Sequence, residues 1–340
     1  METSTPRTRW NDFFTCRRSV PPLFLPAIYD YKAALAEQPA HCFGQRIDEI
    51  KTAIKREVES IQGDALTIGY DIYNVEAEAA GCRVLRDASL PMPQIEEPLL
   101  PDLEPADQLF TEIPRIAGRM PLFLEAAAWA VAEYGRDIPV RGAVSGPFSM
   151  AAAVCNRSAL LTAVAEKPEC LPGLLSWCTQ WIMLYAEAFV RVGAEVIVFD
   201  SFASPPLISP RSYKELVLPF HQCLFHKLEE WGIKNRALIM GGNTISLLPV
   251  LMQSGANQFL LDFNIPLAKI REALLTFPAF FRVNLSPKVI AEESRETVAR
   301  ETRTVMEAVH GCTNYLLGTG ILPYHTPLAN IRQIRQVLEE

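Results

Sequence analysis

Eight short apolar runs, each followed by a longer amphipathic stretch, constrain this chain more than any other feature. The runs are Pro21–Ile28, Ala65–Asp71, Val140–Gly146, Glu195–Asp200, Arg236–Gly242, Asn257–Asp262, Ala279–Asn284 and Thr313–Gly320. A short run that is apolar throughout suits a strand buried on both faces, as in a parallel sheet covered by helices. Helical patterns separate the runs. Ile47, Ile50, Ile54 and Val58 recur at helical spacing, with charges on the other face. Pro121–Tyr134 is alanine-rich, Gly173–Val192, Tyr213–Trp231 and Glu293–Val309 read as long helices, and Pro266–Leu275 and Leu328–Glu340 as shorter ones. Pro210 after Ser209 suits a helix start, and Gly232 and Gly311 sit just past helix ends, where a left-handed residue is wanted. Eight strand-and-helix units predict an α/β protein, a single (β/α)8 TIM barrel over residues 21–340 rather than an open sheet. Residues 1–20 are read as an N-terminal extension. The acidic, proline-rich stretch 85–112 is read as a long loop insertion after the second strand.

Composition narrows the function classes. The 340 residues carry 32 basic and 39 acidic side chains, a formal charge of −7, and 49% of them are hydrophobic. That balance excludes a disordered chain and gives no electrostatic footprint for nucleic acid. No stretch approaches the roughly 20 apolar residues of a membrane span. The polar start, Met1–Asp12, does not read as a secretory signal, and the eight cysteines form no tight framework. A cytoplasmic protein with reduced thiols, most of them small core residues, is therefore expected. Prolines number 26 against 17 glycines, which points to many loops of fixed shape.

In such a barrel the active site lies where the strands end. The first run ends at Tyr29 and Asp30, the second at Asp71, with Tyr73, Asn74 and Glu76 just after it. The third ends in Ser145-Gly146-Pro147 before Phe148, the fourth at Asp200, the fifth at Gly242 and Asn243, the sixth at Asp262 and the seventh at Asn284. The eighth ends at Thr319-Gly320, followed by Tyr324 and His325. Carboxylates and amides dominate, which suits acid–base work, a cationic substrate or a metal, although Asp and Asn also cap helices and hold loops. Asp71, Glu76, Asp200, Tyr324 and His325 are the catalytic candidates. Tyr29, Tyr73, Asn74, Ser145, Phe148, Asn243, Asp262, Asn284 and Thr319 are the substrate-binding ones. The chain has no glycine-rich phosphate loop, no Gly-x-Ser-x-Gly elbow and no Cys-x-x-Cys pair. His221/Cys223 and His310/Cys312 are His-x-Cys pairs, but the first lies within a predicted helix, where residues two apart point away from each other, and the second sits at a helix end entering a strand, at the wrong face of the barrel, so both read as structural.

Several strand-end motifs together resemble the uroporphyrinogen decarboxylase superfamily, which also contains the corrinoid-dependent methyltransferases of the methylcobalamin:coenzyme M type. The motifs are EAEAAGC (76–82), SGPFSMA (145–151), LDFNIPLAKIREAL (261–274), VNLSP (283–287) and LGTGILP (317–323), followed by Thr326-Pro327 and Asn330. EAEAAGC looks like the methyltransferase branch. The resemblance implies arginines after strand one for a decarboxylase, to hold the carboxylates of a tetrapyrrole. Here that stretch is LPAIYDYK (25–32), without arginine. Asp71 matches the decarboxylases' strand-two aspartate, while their tyrosine and histidine correspond to Ala153 and Thr319. For the methyltransferases the resemblance implies zinc held by His-x-Cys on strand five and a cysteine on strand eight, activating a thiol. Those positions are Ile239, Gly241 and Gly320, so the usual ligand set is missing. For a carboxylate-containing alternative set, only Glu76, Asp200 and His325 are on offer.

The leading expectation is a methyltransferase that moves a methyl group between a small methylated substrate and a corrinoid (cobalamin) on a separate protein, since no Asp-x-His-x-x-Gly cobalamin signature is present. The alternatives are a non-catalytic ligand-binding barrel, which keeps the fold and lacks both signature sets, and a small-acid decarboxylase or lyase. A homodimer is in keeping with barrels of this size.

Overall fold

The computed structural model describes residues 5–16, 22–90, 92–101, 103 and 113–340. All eight apolar runs contribute a strand. They are β1 (Phe24–Ala27), β2 (Leu66–Ile68), β5 (Val140–Ser145), β6 (Glu195–Phe199), β7 (Ala237–Ile239), β8 (Gln258–Leu261), β9 (Phe280–Leu285) and β10 (Tyr315–Ile321). The remaining two, β3 (Arg83–Leu85) and β4 (Gln94–Glu97), form a separate antiparallel hairpin. The eight are parallel, in the order β1-β10-β9-β8-β7-β6-β5-β2, with helices between successive strands, giving the (β/α)8 barrel.

No strand ladder joins β1 to β2, and Asp64 closes that seam instead. Its N–H donates to the Phe24 carbonyl (2.9 Å), and its carboxylate accepts from the Phe24 N–H (2.7 Å). The same carboxylate, fully buried, pairs with Arg9 and with Arg335 (3.0 Å). Arg9 belongs to the helix Pro6–Cys16, so the N-terminal extension is a structural part of the barrel. That helix packs Trp10, Phe13 and Phe14 against Leu23, Leu25, Phe280 and Leu316, which stand where β1, β9 and β10 begin. That packing lays hydrocarbon across the strand starts, and the strand ends form the opposite face, where barrels of this kind place their active sites.

Three sequence expectations need correction. The insertion is not a plain loop. Its described part opens with β3 and β4, and the Leu100 N–H donates to the Val154 carbonyl (2.9 Å), while residues 104–112 lie outside the described residues. Alternating short strands with glutamates facing water left no long apolar run for a sequence reading to find. The helix expected over Tyr213–Trp231 opens with a wide π turn, Tyr213–Val217, and is regular only over Leu218–Glu230. Pro219 has no N–H to continue the regular pattern, and a wider turn accommodates it. Of the described cysteines, Cys82, Cys155 and Cys178 are buried, but Cys42 and Cys223 are exposed, so fewer are core residues than expected. Among the described residues no helix is long and apolar enough to cross a membrane.

Candidate active site

The turn after β2 carries the strongest backbone strain at the mouth. Asp71 and Tyr73 have φ of +56° and +84°. Non-glycine residues rarely adopt this region, at a cost of about 1–3 kcal/mol each, and such strain gathers at functional sites. The Asn74 side chain holds the turn by donating to the Asp71 carboxylate and to the Pro93 carbonyl (2.9 Å). Behind it, the buried Arg119 donates to Asp71 (2.6 Å) and also pairs with Glu78, which pairs with Arg86 (2.9 Å). Burial pushes the Asp71 carboxyl up to about 6, against the pull of Arg119.

Asp30, at the end of β1, has a different environment. Its carboxylate has no hydrogen bond or ion pair among the described residues, and it does not cap the helix that follows it. Burial, and then the Asp71 charge, push its carboxyl up to about 7. Asp71 keeps a cationic partner and the Asp30 carboxylate has none among the described residues, so burial raises Asp30 the further of the two.

Both aspartates line a cavity of about 240 Å3 at the mouth. Four rings form much of its wall. Tyr29 meets Phe199 edge-on (centroids 5.2 Å apart, 86°), and Tyr73 meets Phe202 in the same way (6.3 Å, 84°). Met92 to Ile95, from the β3–β4 hairpin and the segment leading into it, close another side. The Tyr73 hydroxyl donates to Ser201 Oγ (3.1 Å), which also accepts from the Gly241 N–H (3.2 Å). Burial pushes the Tyr73 hydroxyl up to about 12, so it remains a donor at any working pH. At the rim, the Arg157 guanidinium stands 5.0 Å over the Phe202 ring.

Asp200 serves the scaffold. It is fully buried, and its carboxylate accepts from the N–H groups of Ser149 (2.6 Å) and Phe148 (3.3 Å), at the start of the helix Pro147–Val154. A carboxylate at a helix start meets unpaired donors and a favourable dipole. Its second oxygen meets His221 Nε2 (2.8 Å), and His221 Nδ1 meets the Tyr213 hydroxyl (2.6 Å). Gly146 lies so close to Asp200 that a Cβ there would collide with the carboxylate. Glu76 is also buried, accepts from the Ser145 N–H (2.6 Å), and is raised by burial above the usual glutamate range.

Across the mouth, the ends of β7 to β10 bond to one another. Asp262 accepts from the N–H groups of Gly242 (2.9 Å) and Phe263 (3.0 Å) and from the Asn284 side chain (3.0 Å), and Asn284 accepts from Arg282 (3.0 Å). Thr319 Oγ1 accepts from the Ala27 N–H (2.9 Å). These side chains hold the strand ends.

The three positions where the resemblance would place zinc do not fit a metal. Ile239 belongs to the apolar layer inside the barrel, with Ala237, Leu260 and Phe199. Gly241 and Gly320 offer no donor side chain. A Cβ at position 320 would lie 2.6 Å from the Pro287 ring and 2.9 Å from Phe263, so even a cysteine would require the loops to move. The alternative set does not gather either: Glu76 and Asp200 are buried and bonded to backbone, while His325 is exposed. Among the described residues no three His, Cys, Asp or Glu side chains stand where they could hold an ion.

Of the residues singled out in the sequence, the structure brings Tyr29, Asp71, Tyr73 and Asn74 together around the cavity. Glu76, Ser145, Phe148 and Asp200 lie buried outside its lining, Asp262, Asn284 and Thr319 brace the far side, and Asn243, Tyr324 and His325 are exposed. Sequence reasoning reached Asp30 as a strand end but did not place it in the site. It missed Arg119, 48 residues from Asp71, and the cavity-lining Phe199, Phe202 and Arg157. Phe199 precedes Asp200 at a strand end, which is the signal that marks it. Arg119 carries no local signal.

Comparison with known proteins agrees with this architecture. The family model described as uroporphyrinogen decarboxylase (URO-D) matches residues 50–340. The methylcobamide:CoM methyltransferase MtbA of Methanosarcina acetivorans is 27% identical over 273 residues, covering 80% of this chain and 78% of that protein. A uroporphyrinogen decarboxylase of Citrifermentans bemidjiense is 28% identical over 231 residues, covering 65% and 66%. A solved methyltransferase from Methanosarcina mazei shares the fold, with a TM-score of 0.83 at 22% identity over 99% of both chains.

Proposed function

Since the chain belongs to the uroporphyrinogen decarboxylase family, we propose that it is a methyltransferase of that family, moving a methyl group between a small substrate in the mouth cavity and a corrinoid carried by a separate protein. One observation carries this reading: the cavity is small, walled by aromatic rings, and presents Asp30 and Asp71 to its occupant. Its volume is below the ~300 Å3 at which small-molecule pockets usually begin. A porphyrinogen with several carboxylates would meet two further carboxyl groups and no arginine on the β1 turn, where charge-assisted bonds would be needed. The named relatives include both activities, and the cavity favours methyl transfer.

The corrinoid, when its carrier is docked, supplies the centre that takes up or gives the methyl group. The chain's own residues position the small substrate. Tyr29, Phe199, Tyr73 and Phe202 exclude water around the methyl-bearing end. Asp71, held by Arg119 and Asn74, fixes the strained β2 turn. Asp30 faces the departing heteroatom, where its carboxylate stabilises positive charge or its acid form gives a proton. Four large apolar side chains are exposed on the mouth loops, Leu207, Phe263, Ile321 and Tyr324, and they offer the carrier an apolar seat beside the cavity.

The test is methyl transfer to added cob(I)alamin from a panel of methyl ethers, methylated amines and methyl thioethers, followed by its absorbance change. Transfer from at least one donor is expected, with a loss of about 100-fold or more in Asp30→Asn, the range of general acid–base and charge effects. No transfer from any donor, with or without added zinc, would overturn the reading in favour of a non-catalytic binding barrel.

A further inference from the structure

Three features of the cavity bear on the charge of its ligand. The first is the arrangement of rings. Each of the two edge-on pairs, Tyr29/Phe199 and Tyr73/Phe202, makes a right-angled corner, and both corners line the same small space. Aromatic faces attract cations through their quadrupole, the more strongly where water is excluded. The second is Asp30, whose carboxylate faces this space without a hydrogen bond or ion pair among the described residues, although Asp71 beside it is fully engaged by Arg119 and Asn74. The third is Arg157. Its guanidinium stands over the Phe202 ring, so one of these rings already holds a cation. Arg157 is exposed at the rim, which leaves the corner next to Asp30 free.

We infer that the cavity selects a methylated ammonium ion, a compact organic cation whose N-methyl groups fit the aromatic corners and whose charge is balanced by the Asp30 carboxylate. This rests on the methyltransferase reading above and narrows its substrate class. A neutral ether would leave the ionised Asp30 carboxylate without a counter-charge, and a carboxylate ligand would set its own charge against it. The chemistry balances without an added proton. Transfer of the methyl group to a reduced corrinoid on a carrier would break the C–N bond and leave the bonding electron pair on nitrogen. The product is a neutral amine, which has lost the charge that held it against Asp30 and so leaves readily.

Equilibrium binding separates this inference from the catalytic one. Choline and 3,3-dimethylbutan-1-ol have the same shape and differ by the positive charge. Calorimetry on the full chain at mildly alkaline pH is expected to show choline binding about 10-fold more tightly, the ratio that about 1.4 kcal/mol provides. In Asp30→Asn, a near-isosteric change of a side chain that makes no hydrogen bond, the preference should fall below about 3-fold. Phe199→Leu, which keeps the charge and removes one ring, should weaken choline more than the neutral alcohol. Equal binding of the two ligands, binding of neither, or a preference that survives Asp30→Asn overturns the inference. Choline preference without methyl transfer from any ammonium donor removes the catalytic reading and leaves the binding site standing. Methyl transfer from neutral ethers with no cation preference does the reverse.

Discussion

The two halves of the barrel mouth are built from the same kinds of residues and use them in opposite ways. On the side of β7 to β10, the polar groups Asp262, Asn284 and Thr319 are bonded to backbone and to one another. On the side of β1, β2, β5 and β6, the Asp30 carboxylate has no hydrogen bond or ion pair among the described residues and stands among four rings around an open cavity. Position at a strand end therefore does not identify a functional residue. What distinguishes the two classes is whether the scaffold already uses the group's hydrogen-bonding capacity. The same contrast appears within one half, between Asp200 and Asp30. Both are aspartates at strand ends, but Asp200 caps a helix and holds His221, while Asp30 holds nothing.

The largest expected effect tests that pair. Asp200→Ala leaves His221 and two helix N–H groups without their acceptor in a fully buried site. Its expected cost is about 3 kcal/mol of stability, the range for breaking a buried charged network. Near pH 4, where most native Asp30 carboxyls keep their proton, Asp30→Asn removes no hydrogen bond and should stay within about 0.5 kcal/mol of the parent chain. Urea unfolding of the two variants checks both figures. If Asp30→Asn is as destabilising as Asp200→Ala, Asp30 is a scaffold residue and the distinction fails.

A smaller effect is expected on the far side. Gly320→Cys places a side chain against the Pro287 ring and Phe263, and overpacking of this kind costs about 1–3 kcal/mol. For the same reason the triple variant Ile239→His, Gly241→Cys, Gly320→Cys should not take up stoichiometric zinc. Metal analysis after dialysis tests this. One tightly held zinc per chain would show that this half of the mouth can be rebuilt as a metal site by ligand substitution alone.

Much of this molecule can be read in its sequence, and the limits have physical causes. The eight strands are legible because a strand covered on both faces must be apolar along its whole length, as in Glu195–Phe199, where all but the first residue are buried. Tyr29, Asp71 and Tyr73 are legible as residues of the mouth cavity because barrel geometry fixes where strands end. Partnership is not legible. Whether an aspartate is engaged depends on residues brought from elsewhere: Arg119 for Asp71, the Phe148 and Ser149 N–H groups for Asp200, and nothing for Asp30. His221 shows the same limit. Its neighbour Cys223 suggested a His-x-Cys pair, whereas its actual partners are Asp200, 21 residues earlier, and Tyr213 across the π turn. The hairpin over the cavity was hidden because its strands are short and largely exposed.

The pH dependence of stability isolates Asp30. A carboxyl raised from 3.8 to about 7 on folding keeps its proton in the native state over a range where the unfolded chain has lost it. The native state then binds more protons, so stability falls as pH rises through that window and levels off above it. Asp71, raised to about 6, adds to the same slope, as do the buried Glu57, Glu76 and Glu195. The difference between the parent chain and Asp30→Asn removes most of those shared contributions. The groups facing Asp30 are Asp71 with Arg119 behind it, Tyr70 and Tyr73, with Arg157 at the rim. Of these only Asp71 titrates in the window, and its ion pair with Arg119 is intact in both proteins. Urea unfolding in steps from about pH 4 to pH 8 should therefore show a shallower decline in Asp30→Asn, with the two curves diverging below about pH 7. A saturating ammonium ligand stabilises the charged form of Asp30 and should flatten the parent curve in the same way, without affecting the variant. Parallel curves for the two proteins would mean that Asp30 ionises like an ordinary surface aspartate, and the contrast between the halves of the mouth would then rest on the aromatic corners alone.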